Sequence, residues 1–134
     1  TEIVHSLIAA KCNVNQANNY RKTPVYWASF NGRTEIVHSL IAAKCDVDRA
    51  NKDGETPVHL ASYNGHTEIV HSLIAAKCDV NRANKDGETP VYWASYTGST
   101  EIVQALIAAK CNVNQANNYG RTPVDLASFR GHNI

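Results

Sequence analysis

The chain has 134 residues, of which 43% are hydrophobic and 19% charged, and its formal net charge is +1. These values are typical of one ordinary globular domain, and they exclude a general affinity for nucleic acid or anionic membrane, which needs clustered Lys and Arg. The apolar runs are too short for a transmembrane helix, and no basic stretch with an apolar core predicts a signal peptide. Since the chain begins at Thr1 and contains no Met, we expect it to be a segment of a longer protein.

A 33-residue period runs through the whole sequence. The cysteines at 12, 45, 78 and 111 and the prolines at 24, 57, 90 and 123 keep this step. The string TEIVHSLIAAKC begins at Thr1, Thr34 and Thr67, and the near copy TEIVQALIAAKC begins at Thr100. Such self-similarity indicates a solenoid whose units bury their apolar faces against their neighbours. We predict a single all-α solenoid over 1–134, with half units at 1–17 and 117–134 and full units at 18–50, 51–83 and 84–116.

Each unit is predicted to hold a turn and two helices, as residues 51–83 illustrate. Residues 51–55, Asn-Lys-Asp-Gly-Glu, have turn chemistry. Thr56 and Pro57 are typical of a helix start, and Asn64-Gly65 of a helix end. Thr67 is predicted to cap the second helix. The apolar residues of that helix, at helical spacing, are Ile69, Val70, Leu73 and Ile74.

These residues resemble the ankyrin repeat over the whole chain. The family pattern is matched by Gly54, Thr56-Pro57-Val58-His59, Ala61, Gly65-His66, Glu68-Ile69-Val70 and Asp79-Val80-Asn81. The resemblance implies stacked helix-turn-helix units, each L-shaped, with two antiparallel helices and a projecting β-turn.

The sequence departs from the ankyrin pattern at three kinds of position. The family has Gly where this chain has Lys11, Lys44, Lys77 and Lys110. Either these helices end differently, or each left-handed lysine costs on the order of 1 kcal/mol. Arg21 replaces the turn Gly of the first full unit. Three residues replace the family His that is kept at His59, and so remove the usual donor of a hydrogen bond between turns: Tyr26, Tyr92 and Asp125.

The cysteines and histidines do not predict a chemical site. Equivalent residues of stacked units lie ~10 Å apart, too far for a disulfide or for one zinc ion. We expect the cysteines to be small buried apolar residues, and free thiols favour the cytoplasm or another reducing compartment. The column of His5, His38 and His71 has the same spacing. With no phosphate loop, nucleophile elbow or zinc-protease motif, we predict no enzyme activity, no cofactor and no metal.

The turn tips differ between units and form a charge pattern. The outer tips, 18–22 and 117–121, carry a tyrosine and charges of +2 and +1. The inner tips, 51–55 and 84–88, each carry one lysine against two acidic residues, or −1. We expect this pattern to steer a partner, so that changing Asp53, Glu55, Asp86 and Glu88 to Lys weakens its association.

A second variable column follows the first helices. It contains Phe30, Tyr63, Tyr96 and Phe129, followed by Asn31, Asn64, Thr97 and Arg130. The resemblance places these residues toward a concave groove, where aromatic side chains would supply binding energy. The alternative is that the rings only fill gaps between units. Trp27 and Trp93 alternate with Leu60 and Leu126, and we predict that all four belong to the core.

The leading interpretation is a scaffold that binds another protein through the turn tips and the concave helix face. The alternative is an architectural spacer in a longer array, which the three unchanged helix copies favour. The predicted partner-binding residues are Tyr20, Lys22, Phe30, Asn31, Lys52, Asp53, Glu55, Tyr63, Asn64, Lys85, Asp86, Glu88, Tyr96, Thr97, Tyr119, Arg121, Phe129 and Arg130.

Two further expectations concern modification and self-association. Ankyrin repeats are substrates for asparagine hydroxylation in a Leu-x5-Asp-Val-Asn pattern, which is complete here only at Leu73, Asp79, Val80 and Asn81. The alternative is that Asn81 is simply a loop residue bonded to backbone. Because both ends of the array lack a polar capping unit, we also expect head-to-tail self-association, with fraying as the competing outcome.

Overall fold

The computed structural model describes residues 2–131, which form α-helices and connecting turns with no strand. No helix in this range is both long and apolar enough to cross a membrane. The helices of the described range are α1 (Glu2–Ala9), α2 (Pro24–Phe30), α3 (Thr34–Ala42), α4 (Pro57–Tyr63), α5 (Thr67–Ala75), α6 (Pro90–Thr97), α7 (Thr100–Ala108) and α8 (Pro123–Arg130).

The helices form two layers. The inner layer contains α2, α4, α6 and α8, and the outer layer contains α1, α3, α5 and α7. Each inner helix from α2 to α6 packs against the outer helix that follows it, and each layer is a row of neighbours in chain order. Packing between neighbours is denser in the inner layer, which indicates that the stack is concave on that side. The predicted all-α solenoid is confirmed.

The core lies between the layers and repeats with the units. Ile69 and Leu73 of α5 and Val58 of α4 have no exposed surface, and Ile74 packs at the edge of the same cluster. The apolar stripe predicted for the second helix is therefore confirmed. Its burial stabilises the stack, at roughly 25 cal/mol per Å² of apolar surface removed from water.

The two helix types begin in different ways. In α2, the Thr23 hydroxyl accepts a hydrogen bond from the Tyr26 N–H at 3.3 Å, and Pro24 occupies the first turn, as expected for a Thr-Pro start. In α5, the predicted cap at Thr67 is wrong. The helix already includes Thr67, and its N-cap is His66, whose carbonyl accepts the first helical bond from Val70 N–H at 3.1 Å.

The outer helices end in the left-handed geometry that glycine usually provides. Lys77 has φ 68°, and its N–H donates to the Ile74 carbonyl at 2.9 Å. The Cys78 N–H donates to the Leu73 carbonyl at 3.1 Å, which closes the helix. The helix ends are thus retained despite the steric cost of a lysine β-carbon. The same conformation holds at Lys11, Lys44 and Lys110, with φ between 63° and 66°.

Candidate protein-interaction surface

Each turn is organised by the asparagine that opens it. In the turn 51–55, Asn51 Oδ1 accepts hydrogen bonds from the N–H groups of Asp53 and Glu55, both at 2.9 Å. The Asn51 amide also donates to Glu55 Oε1 at 2.9 Å. Asn18, Asn84 and Asn117 make the same pair of backbone contacts in their turns. The four turns therefore have one shape, although their outer residues differ.

Backbone hydrogen bonds join the turns 51–55, 84–88 and 117–121. Together with the first turn, 18–22, they form a ridge that we call the turn ladder. The Lys85 N–H donates to the Asp53 carbonyl at 2.9 Å, and the Asn118 N–H donates to the Asp86 carbonyl at 2.8 Å. An exposed ion pair of 3.0 Å joins Lys85 Nζ to Asp53 Oδ1. Such a surface pair adds little stability. The backbone bonds fix the spacing at which the last three turns of the ladder present their side chains.

A buried polar link joins each inner helix to the next turn, except at α8. In α4, His59 Nδ1 accepts from the Thr56 N–H at 3.1 Å, so Nε2 carries the proton and donates to the Glu88 carbonyl at 2.8 Å. Burial lowers the pKa of His59 to about 4, despite the opposing effects of the Glu88 carbonyl and carboxylate. This imidazole is therefore neutral at pH 7.

Two tyrosines replace this histidine and make a different bond. Tyr26 Oη accepts from Asn51 Nδ2 at 3.0 Å, and Tyr92 Oη accepts from Asn117 Nδ2 at 2.9 Å. Burial, with smaller effects of nearby glutamates, raises the pKa of both phenols, so they remain protonated at pH 7. In the last unit, Asp125 Oδ2 instead accepts a hydrogen bond from the Thr122 N–H at the start of the same helix, at 3.0 Å. Three units lack the histidine that usually donates in this link. In two of them a tyrosine–asparagine hydrogen bond takes its place.

Aromatic side chains line one side of the described residues and remain open to solvent. On the turn ladder, Tyr20 and Tyr119 are 62% and 81% exposed. Phe30, Tyr63 and Phe129 lie on the solvent side of α2, α4 and α8 and are 40%, 46% and 85% exposed. We call the solvent side of these helices and of α6, together with the turns beside it, the inner face. Tyr96, the fourth member of this column, is half-buried. The alternative that the rings only fill gaps between units therefore does not fit Phe30, Tyr63 and Phe129.

Some predicted contact residues also serve the fold. Glu55 and Glu88 are half-buried, and each accepts a bond from the asparagine of its own turn. The Asn64 amide donates to the Phe30 carbonyl of the preceding unit at 3.1 Å, and the Thr97 hydroxyl donates within α6. The exposed members of the predicted set, beyond the aromatic residues above, are Asn31, Lys52, Asp53, Asn64, Lys85, Asp86, Arg121 and Arg130.

The prediction that Trp27 belongs to the core is wrong. Its side chain is 42% exposed, whereas Leu60 and Leu126 at the equivalent positions are buried as predicted. Lys22 Nζ lies 4.8 Å from the centre of the Trp27 ring, within the range of a cation–π contact. Trp27 and Lys22 therefore form a surface pair on the inner face.

Trp93 is half-buried beside an open cleft. Its ring meets His59 and Tyr63 edge-on, with centroid distances of 5.3 and 5.4 Å. Its indole N–H donates to Glu88 Oε1 at 3.0 Å. The cleft has a volume of about 510 Å³ and lies between α4 and α6 on the inner face. The sequence analysis did not predict this cleft.

Comparison with known families agrees with this architecture. A family model described as ankyrin repeats (3 copies) matches residues 1–84 and again residues 63–134. The chain belongs to the ankyrin-repeat family. No curated protein matched the chain. Ankyrin repeats generally act as protein-interaction modules and are typically non-enzymatic scaffolds.

The cysteines of this ankyrin array are free thiols with different surroundings. Cys78 is buried as predicted, Cys45 and Cys111 are half-buried, and Cys12 is exposed, so the prediction of burial is wrong for Cys12. Burial raises the pKa of Cys45 to about 11 and that of Cys78 to about 12. These two thiols are thus poor nucleophiles at pH 7. Within residues 2–131 no three His, Cys, Asp or Glu side chains come together as metal ligands would.

Two members of the histidine column, His5 and His38, link ankyrin units on the outer layer, a contact that the sequence analysis missed. His38 Nε2 lies 2.8 Å from Ser72 Oγ of the next unit, and His5 contacts Ser39 in the same way. The signal for this contact is the His-Ser pair within each TEIVHSLIA string. His132, at the equivalent of His66, lies outside the described residues.

Asn81 bridges two ankyrin units. Its Oδ1 accepts from the Asn112 N–H at 2.6 Å, and its own N–H donates to Asp79 Oδ1 at 2.9 Å. Asn15 and Asp48 accept the equivalent backbone bonds from the next units at 2.8 Å. The residue is exposed, so its modification stays a prediction.

Proposed function

We propose that this chain is a protein-interaction module whose partner contacts the turn ladder and the inner face. The observation that carries the proposal is the row of exposed aromatic side chains on one side of the helical stack, above all Tyr63 and Phe129. Exposed rings of this kind are the side chains that supply most of the energy at protein interfaces. The proposal includes a reducing compartment, such as the cytoplasm, because the thiols are free.

The charge pattern of the turn ladder supports an electrostatically ordered partner. Glu55 and Glu88 bond within their own turns, and Asp53 is paired with Lys85. The Asp86 side chain is exposed and is left to face a partner. Opposite charges that meet across such a rim chiefly raise the association rate.

The experiment compares partner capture by two matched charge-reversal variants. The Asp53→Lys and Asp86→Lys double variant reverses the exposed acidic residues of the inner tips without removing the turn's glutamate–asparagine bonds. The Glu35→Lys and Glu68→Lys variant makes the same charge change on exposed positions of the outer layer. A partner that the unaltered chain captures should associate more slowly with the first variant only.

The salt dependence and the helical content complete this test. The difference between the two variants should shrink at about 1 M salt, where the Debye length is only about 3 Å. Circular dichroism checks that both variants remain helical. Equal capture by the unaltered chain and the first variant would remove the turn ladder from the site.

An architectural spacer is the second candidate, and it rests on the outer layer. The α3 and α5 sequences are identical, and the His38–Ser72 contact joins them in register. This arrangement favours regular stacking and does not need a partner. In the same experiment, a spacer would capture no protein through the inner face or the turn ladder.

A further inference from the structure

The chain contains its own example of a cation seated on a tryptophan. Lys22 Nζ lies 4.8 Å from the centre of the Trp27 ring, and 5.7 and 5.8 Å from the rings of Tyr26 and Tyr20. Lys22 precedes Trp27 by five residues, in the turn that leads into α2. In this unit the aromatic surface of the inner face is thus occupied by a positive charge from the chain itself.

The third unit has the same tryptophan but the opposite charge. Two units later in the sequence, Glu88 occupies the position equivalent to Lys22, and Trp93 occupies the position equivalent to Trp27. Glu88 Oε1 accepts from the Trp93 indole N–H at 3.0 Å and from the Asn84 amide at 3.1 Å. The ring and the carboxylate are therefore held together before any ligand arrives.

The cleft beside this pair is negative and aromatic. It has a volume of about 510 Å³, and its lining includes Tyr63, Trp93, Tyr96, Glu55, Glu88 and Arg121. The ion pairs within residues 2–131 are Arg49–Asp46 and Lys85–Asp53, so neither cleft glutamate is in one. Two carboxylates against one guanidinium give the lining side chains a charge of −1. Arg130 is not part of the lining, but its guanidinium carbon lies 4.7 Å from the centre of the Tyr96 ring.

We propose that this cleft, between α4 and α6, binds an arginine side chain of the partner protein. The planar guanidinium stacks on the Trp93 ring and donates to the Glu88 carboxylate, as Lys22 covers Trp27 in the first unit. Arginine fits better than lysine because its flat fork both stacks on aromatic rings and pairs with carboxylates. This inference rests on the proposed function, because it names the chemistry that the inner face recognises.

Arg121 gives the cleft an internal competitor. It lies on the lining next to Tyr92, and its charge repels an incoming cation. Removing its charge should therefore strengthen binding, which a merely hydrophobic cleft would not show.

The test uses the indole N–H signals of the two tryptophans in nitrogen-15 NMR spectra. The probe is N-acetyl-arginine amide, and its control is N-acetyl-citrulline amide, which has nearly the same shape without the charge. The arginine probe should shift the Trp93 signal saturably, with a Kd on the order of millimolar, and should leave Trp27 nearly unchanged. The citrulline probe should shift neither signal.

Two variants of the whole chain sharpen the test. Glu88→Gln keeps an oxygen that can accept from the Trp93 indole, and it should weaken the arginine probe about tenfold, as for the loss of a charged hydrogen bond. Arg121→Gln should tighten it about 1.5- to 5-fold, the range expected for a surface charge contact. Folding of both variants is read from the dispersion of the same spectra.

The outcomes separate this inference from the proposed function. An unshifted Trp93 signal, equal shifts of both tryptophans, or equal responses to the two probes would overturn the arginine site. If partner capture still depends on the inner tips in that case, the proposed function stands and only the arginine site fails. If no partner is captured through the inner face while Trp93 binds the arginine probe, the cleft is an arginine site and the proposed function fails.

Discussion

Asn51 Nδ2 donates to Tyr26 Oη over 3.0 Å and so joins the first helix of one unit to the turn of the next. Both groups are buried, and the two residues are 25 positions apart. The same pair recurs as Asn117 and Tyr92, whereas in the unit between them His59 makes the link through the Glu88 carbonyl. One structural task, the bond between an inner helix and the next turn, is thus performed by two different side chains.

The first prediction concerns pH. Burial lowers the pKa of His59 from 6.5 to about 4 in the folded chain. Its neutral form therefore stabilises the fold fully above pH 6.5, and this contribution is lost as the pH falls toward 4. The total amounts to about 3 kcal/mol. Urea unfolding between pH 7 and 4 should show this loss of unfolding free energy.

The matched variant for this experiment is His59→Tyr, because Asn84 stands 25 positions later, as Asn51 does after Tyr26. We expect the variant to fold and to lose that part of the pH dependence. An unchanged pH profile in the variant would assign the acid sensitivity to other groups.

The second prediction concerns the left-handed helix ends. Lys77 has φ 68°, a conformation in which glycine avoids the steric cost of a β-carbon. Lys77→Gly should raise the unfolding free energy by about 0.5–1 kcal/mol, net of the added freedom of the unfolded chain. The control is Ala76→Gly one residue earlier, where φ is −82°. That change should lower the free energy by a similar amount, and a loss in both variants would contradict the account.

Most of the fold could be predicted from the 33-residue period and the local helix signals, but the surroundings of the two tryptophans could not. Trp27 and Trp93 lie in nearly identical strings, PVYWASF and PVYWASY. Trp93 packs on His59 and Tyr63 of the preceding unit, whereas no inner helix precedes α2 in residues 2–131, so Trp27 is exposed. Local sequence does not show which neighbour a ring will meet.

The candidate site was predictable only in part for a similar reason. The charge of a turn can be counted from the sequence, but the roles of its members depend on contacts. In the sequence, Glu55 and Glu88 look like ordinary exposed turn residues. In the structure, each accepts a hydrogen bond from the asparagine of its turn, Asn51 or Asn84. The paired tyrosine–asparagine bonds were missed because their members lie 25 residues apart.

The third prediction concerns Asn81. We expect an asparagine hydroxylase of an animal cell to add one oxygen to Asn81 and none to Asn15 or Asn114. The side chain is exposed, although its bond to the Asn112 N–H must open before an enzyme can bind the segment. Mass spectrometry of the chain purified from such cells measures the added oxygen. No added oxygen on Asn81, or equal addition at the other two sites, would contradict the prediction.

The fourth prediction concerns the isolated 134-residue chain at high concentration. Ile3 and Leu7 are 76% and 53% exposed on α1, and Val124 and Phe129 are 68% and 85% exposed on α8. Covering these side chains head-to-tail would recover roughly 25 cal/mol per Å² of apolar surface. Light scattering should show the mass rising with concentration. A constant monomer mass up to about millimolar protein, with ordered terminal helices, would contradict head-to-tail stacking.

The central claim is that the turn ladder and the inner face together form the partner's binding surface. Hydroxyl-radical footprinting with and without a captured partner measures it most directly, because exposed aromatic side chains react readily. We predict that Tyr20, Tyr63 and Phe129 lose reactivity in the complex, while His38 and His71, exposed on the outer layer, do not. Protection of the outer-layer histidines with undiminished labelling of the three aromatic residues would contradict the claim.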